Sequence, residues 1–159
     1  MKLKPIFLTI CWLAISGNGL SAESTTAPRA WRPNDIPWQT SAPNGTRFAL
    51  LEGVRERRDA PFTYGFFIPA GVWDSPHFHA TTARVFVVSG ALKLGYGNKQ
   101  DKQAAVTYPA GSYVIVPGGV VHFDGADEDT VILGVATGPW STTYLDGSKP
   151  ASAGTPIPK

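Results

Sequence analysis

The chain has 159 residues, 43% of them hydrophobic, which suffices for one domain with a sizeable core but not for two. With 14 basic and 12 acidic residues its formal charge is +2, too small an excess to point to nucleic acid or an anionic membrane as partner. The single cysteine (Cys11) and the single methionine (Met1) both lie near the N-terminus, which leaves the remaining chain without disulfides, thiolate nucleophiles, and blue-copper or iron–sulfur sites.

Taken in chain order, "MKLKPIFLTICWLAISGNGLSA" places Lys2 and Lys4 before an apolar run from Ile6 to Ile15, followed by small and polar residues. That is the layout of a secretory signal peptide, and the run is too short to span a membrane. Residues 1–22 are therefore expected to be cleaved after Ala22, or after Ser21 because Leu20 is unusual two positions before Ala22. The mature protein would be secreted or periplasmic. Loss of the leader's two lysines leaves 12 basic and 12 acidic residues and a formal charge of zero.

Residues 23–46 are expected to form an irregular N-terminal arm. It opens with "ESTTAPRA" and continues as "WRPNDIPWQTSAPNG", whose Trp31 and Trp38 are expected to pack on the domain. Asn44-Gly45-Thr46 is a turn pair as well as a glycosylation sequon, and the turn is the simpler reading. From there the pattern is β throughout, with short runs of Val, Ile, Phe, Tyr and Thr punctuated by Gly, Pro, Asn and Asp. Strands are expected over Arg47–Gly53, Phe62–Ile68, Val85–Ser89, Leu92–Tyr96, Ala104–Tyr108, Tyr113–Val116, Val120–Phe123, Thr130–Ala136 and Thr142–Leu145. Trp73–His79 is a further candidate. No segment shows a sustained helical period. The pattern predicts an all-β single-domain sandwich or barrel over residues 47–146, the jelly roll included. The Pro/Ser/Gly-rich residues 147–159 are expected to be a flexible tail.

The three histidines are His77, His79 and His122. Residues at i and i+2 of a strand project to one face, so His77 and His79 can grip one ion. By the same parity Ala83 faces inward with them and Arg84 outward, unless a turn near Thr81 and Thr82 breaks the count. Asp124 shares a face with His122 on a regular strand and is a candidate ligand or ligand partner. Asp74 is read as part of the loop entering the histidine pair. "RERRD" at Arg55–Asp59 reads as a charged loop, "DED" at Asp127–Asp129 as an exposed turn, and "GYG" at Gly95–Gly97 as a hairpin tip. Most aromatics should be core residues, and Trp73, in a Gly/Pro-framed loop, is a candidate for the pocket mouth.

Two stretches carry a resemblance to a known family. "GVWDSPHFHATTARVFVVSG" matches the spacing G-x5-H-x-H-x3-E-x6-G at Gly71, His77, His79 and Gly90, with Ala83 where the glutamate would stand. "GSYVIVPGGVVHFDGA" matches G-x5-P-x-G-x2-H-x3-N at Gly111, Pro117, Gly119 and His122, with Ala126 at the asparagine position. These motifs resemble those of the cupin superfamily, most closely small exported single-domain cupins in a three-histidine variant. The resemblance spans roughly Ala49 to Asp146. It implies a cupin β-barrel (double-stranded β-helix) holding a divalent transition metal such as Fe, Mn, Ni, Cu or Zn on His77, His79 and His122. Three neutral imidazoles without the glutamate would leave the ion's charge uncompensated and favour a small anionic or enolisable ligand. The implied activity is that of a dioxygenase-like oxidoreductase. A Lewis-acid isomerase or lyase, and a non-catalytic module that binds a metal or small ligand, are the alternatives. The resemblance also implies a possible homodimer paired through edge strands.

Overall fold

Alternation of apolar and polar residues builds the sheets. In chain order the strands are β1 (Thr40–Ser41), β2 (Arg47–Glu52), β3 (Pro61–Ile68), β4 (Trp73–His79), β5 (Ala83–Ser89), β6 (Ala91–Tyr96), β7 (Val106–Pro109), β8 (Tyr113–Val116), β9 (His122–Gly125), β10 (Thr130–Thr137), β11 (Thr142–Tyr144) and β12 (Thr155–Pro156). A single 3-10 turn covers Pro33–Asp35. The structure is a computed structural model, and it describes residues 28–148, 150 and 155–156. The expected signal peptide, residues 1–22, lies outside the described residues, as does most of the expected tail.

Two antiparallel sheets result. One runs β12-β1-β2-β3-β10-β5-β8 and the other β11-β4-β9-β6-β7. The fold is the all-β, double-stranded β-helix architecture expected. In β5, Ala83, Val85 and Val87 turn inward while Arg84 and Phe86 are exposed. β8 does the same with Val114 and Val116, and β6 contributes Leu92 and Leu94. These residues meet Ile68, Ala126 and Ile132 in the main core. At about 25 cal/mol per Å² of apolar surface, each of the Val, Leu and Ile side chains among them stabilises the fold by roughly 1.5–3 kcal/mol.

The arm behaves as two parts. Ile36 and Trp38 cover the outer face of the larger sheet, in a second cluster with Ala49, Leu51, Phe67 and Val131. Trp31, expected to pack likewise, is instead exposed. The arm is also not irregular throughout, since Thr40–Ser41 pairs with Arg47–Phe48 on one side and Thr155–Pro156 on the other. The Asn44-Gly45 turn closes this hairpin: Ala42 and Thr46 are hydrogen-bonded across it, the Asn44 side chain accepts from Thr46 N, and Gly45 has φ +87°.

Two strands are offset from expectation for local reasons. The Asp101 carboxylate accepts hydrogen bonds from Gln103 N and Ala104 N, which folds those residues into a turn and delays β7 to Val106. The Pro117–Val120 turn, with Gly119 N bonded to His79 O, uses up Val120 and shifts β9 to His122–Gly125.

Candidate metal centre

β4 supplies His77 and His79, and β9 supplies His122, which is the cross-strand partner of His77. One candidate ligand nitrogen from each ring lies within 4.8 Å of the other two. His77 and His122 are only 2% and 1% exposed, so neither is a surface residue. Each ring has a partner on Nδ1. His77 Nδ1 bonds Ser75 O at 2.8 Å, His122 Nδ1 bonds Val120 O at 2.9 Å, and His79 Nδ1 bonds Thr142 Oγ1 at 3.1 Å. The two backbone carbonyls can only accept, so His77 and His122 are held with Nδ1 protonated and Nε2 bearing the lone pair. With Nδ1 engaged, Nε2 is the nitrogen each ring has left to offer an ion, and His77 Nε2 also has Asp124 Oδ2 3.7 Å away. This is the donor set and outer-shell support of a nitrogen-coordinated metal, and the trio fits one. Burial pushes His79 down to about 2, helped by the other two rings and Arg55, and burial also lowers His122. His79 therefore stays neutral at ordinary pH, as a ligand requires.

The rings are clamped by aromatics. Trp140 stacks on His79 with centroids 4.4 Å apart and planes at 28°. Tyr144 lies 4.8 Å from His77 at 34°. Both come from the segment after β10, whose strand β11 pairs with β4 through Thr142↔His79 and Tyr144↔His77. The same short strand thus supplies the Nδ1 partner of one histidine and the stacking ring of the other.

The imidazoles open into a cavity of about 80 Å³ between the sheets. On the same measure a water needs roughly 10–15 Å³, so there is room for a cluster of waters or part of a small organic molecule. Phe48, Phe62, Phe66, Leu94, Val116 and Ile132 give it apolar walls. Ala83 lines it too, 1% exposed, with Arg84 outward as the parity reading expected. It does so from the opposite sheet, because the bend at Ala80–Thr82 carries the chain across before β5 begins.

The charge around the trio differs from expectation. Two carboxylates face the cavity. Asp124 Oδ2 is 3.7 Å from His77 Nε2, and Asp74 is the cross-strand partner of Asp124. Asp74 was read as a loop residue but belongs to β4. Between Asp74↔Asp124 and His77↔His122 the register shifts, with three steps along β4 against two along β9. This bulge at Ser75–Pro76 reverses parity, so Asp74 and His77 can both point inward although three residues apart. The proline within a strand was the one sequence signal that could have flagged it. Tyr144 Oη donates to Asp74 Oδ2 at 2.7 Å. Burial, and then the nearby Asp124 carboxylate, raise Asp74 to about 6. Burial and the Asp74 carboxylate likewise push the Tyr144 phenol up, so it stays a proton donor.

Trp73 is not a cavity residue. It sits on the opposite face of β4, over Gly125 and against Phe123, with Lys102 Nζ 5.1 Å from its ring. Besides Asp74, the residues that sequence reasoning missed are Arg55, Trp140, Thr142 and Tyr144. All but Asp74 reach the site from segments distant in sequence from the histidines.

Two packed antiparallel sheets closing over three inward histidines define a cupin. This chain belongs to the ChrR cupin-like domain family, whose model matches residues 26–141. Solved structures share the fold at low identity. A protein with a double-stranded β-helix domain from Klebsiella pneumoniae subsp. pneumoniae aligns at TM-score 0.56 and 15% identity, covering 77% of this chain and 99% of that one. The polyketide cyclase RemF from Streptomyces resistomycificus aligns at 0.55 and 18%, covering 74% and 87%. A salicylate 1,2-dioxygenase variant from Pseudoaminobacter salicylatoxidans aligns at 0.55 and 12%, covering 67% of this chain and 32% of that one. No curated protein matches the sequence at a significant level.

Proposed function

We propose that the protein is an exported, metal-dependent cupin enzyme acting on a small anionic or enolisable organic molecule, with dioxygenase-like chemistry. The observation that carries this reading is the set of three clustered imidazoles, two buried and one half-buried, each tied through Nδ1. A redox-active ion held there would supply oxygen chemistry, and a redox-inert one Lewis acidity. The protein's own residues then divide the remaining work. The apolar walls exclude bulk water and strengthen electrostatic interactions inside. Trp140 and Tyr144 keep two imidazoles from rotating. Asp74 faces the cavity beside the histidines, where its carboxylate can take a proton from an enolisable carbon and give it back. The Tyr144 hydroxyl holds the Asp74 carboxylate in place.

The oxygenase version is tested by reconstituting the mature protein with Fe(II) anaerobically and measuring oxygen uptake with diketones, thiols and catechols. No uptake with any of them removes it. The placement of Asp74 favours one second reading, a Lewis-acid isomerase or lyase of the same substrate class. There the Zn-loaded protein would exchange substrate C–H protons with deuterated solvent, an exchange lost in Asp74→Asn.

The export part of the reading rests on residues 1–22. Expression of the full chain in a Gram-negative host should yield periplasmic protein with Glu23 or Ala22 at its N-terminus. Cytoplasmic protein retaining Lys2 would refute it.

A further inference from the structure

Arg55 lies in the loop between β2 and β3, where a charged, solvated segment was expected. Glu56, Arg57, Arg58 and Asp59 are indeed exposed, but Arg55 is turned in and lines the cavity. Among the described residues it is the only basic side chain lining the cavity apart from the histidines. Among the described residues its guanidinium has no carboxylate within ion-pair distance and donates no hydrogen bond. The Phe48 ring lies 5.2 Å from the guanidinium carbon, and the adjacent Glu56 carboxylate and the Tyr64 phenol act on it through space without a hydrogen bond. Burial lowers its pKa, yet an arginine so placed remains charged. A half-buried guanidinium without a bidentate protein partner keeps its fork available to an anion that enters the cavity.

The loop is built to hold this side chain where it is. Trp140 N bonds Arg55 O at 3.0 Å, Asp59 N bonds Gly138 O at 3.0 Å, and Gly138 N bonds Ala60 O at 3.0 Å. Gly138 packs so closely on the carbonyls of Arg55 and Arg57 that any side chain there would collide with them. The segment stapled to the loop is the one that carries Trp140 onto His79. Charge is therefore graded across the three imidazoles. Asp124 faces His77, whereas Arg55 acts on His79 and on Tyr64 between them.

We propose that Arg55 anchors a carboxylate of the bound molecule, so that the cavity selects a small organic acid with an apolar or aromatic body. The guanidinium fork matches a carboxylate in bidentate fashion. The body then lies along Phe48, Phe62 and Trp140 and crosses the Nε2 atoms, with its far end toward Asp74 and Asp124. This deepens the reading above and rests on it for the identity of the site.

The test uses the mature zinc-loaded protein and a panel of acetate, benzoate, phenylacetate and 3-phenylpropanoate, each beside its neutral amide. Binding is read by calorimetry and by tryptophan fluorescence, with a Trp140→Phe control to assign the change. At least one acid should bind roughly tenfold or more tightly than its amide. Arg55→Gln should bring that acid down to the amide's affinity while zinc content and thermal midpoint are unchanged. Arg55→Lys should retain part of the preference, because charge survives and the fork does not. No acid preferred over its amide, or a preference that survives Arg55→Gln, overturns the proposal. Elemental analysis of the same samples judges the metal reading separately. An Arg55-dependent preference in protein that takes up no zinc would uphold the anchor and sink the metal chemistry.

Discussion

Tyr144 and Asp74 meet beside the histidines, the phenol donating to the carboxylate at 2.7 Å while its ring lies against His77. The bond keeps a half-buried carboxyl oriented in a site that otherwise disfavours its charge.

Asp74 has a consequence for stability in the metal-free protein. Its folded value of about 6 stands above the ordinary 3.8. Between those values the folded state binds more protons than the unfolded one, so stability falls as pH rises through that window. Asp74→Asn keeps an acceptor for Tyr144 and removes the charge. It should raise metal-free stability at pH 7.5 by roughly 1–3 kcal/mol and give no gain near pH 3.5. Urea unfolding at the two pH values checks this, and equal effects at both would contradict it.

Thr142→Val removes the hydroxyl that bonds His79 Nδ1 and preserves shape. Loss of such support typically weakens metal binding by roughly 10–100-fold. Competition with a zinc-binding dye measures it. An unchanged affinity would mean that His79 is not a ligand.

His122→Ala takes away the one ligand contributed by β9. Zinc content of protein purified without chelator should fall from near one per chain to below about a tenth, since two imidazoles make a poor site. Near-UV circular dichroism of the same sample shows whether the fold survives. A folded variant with full zinc content would falsify the assignment of the trio.

Gly134 faces Tyr64 across the β3–β10 pairing, and a Cβ at this position would run into the Tyr64 ring. Gly134→Ala should therefore destabilise by roughly 1–3 kcal/mol even though alanine favours a strand no less than glycine. A shift in the urea midpoint reports it. A neutral result would show that the Tyr64 wall of the cavity can move.

Much of this molecule was legible in the chain. The β-rich runs Val85–Ser89 and Tyr113–Val116 were read as strands, and they are β5, which starts two residues earlier at Ala83, and β8. The spacing of His77, His79 and His122 with Gly71, Gly90, Gly111, Pro117 and Gly119 pointed to the cupin architecture and to the trio itself. Ala83 was read as inward-facing, and it is.

What sequence could not supply was which distant segments complete the site. Parity counting holds only while a strand stays regular, and one extra residue at Ser75–Pro76 turned Asp74 from a loop residue into a cavity carboxylate. Trp140, Thr142 and Tyr144 have no local pattern that marks them. They matter because β11 pairs with β4, a contact spanning about 60 residues of chain. Arg55 looked like one charge among five, and backbone hydrogen bonds to Gly138 and Trp140 turned it inward. Local periodicity thus determined the strands and the three histidines. Strand parity had already put Asp124 beside His122, but the bulge that turns Asp74 inward and the loop contacts that turn Arg55 inward were decided only by the tertiary structure.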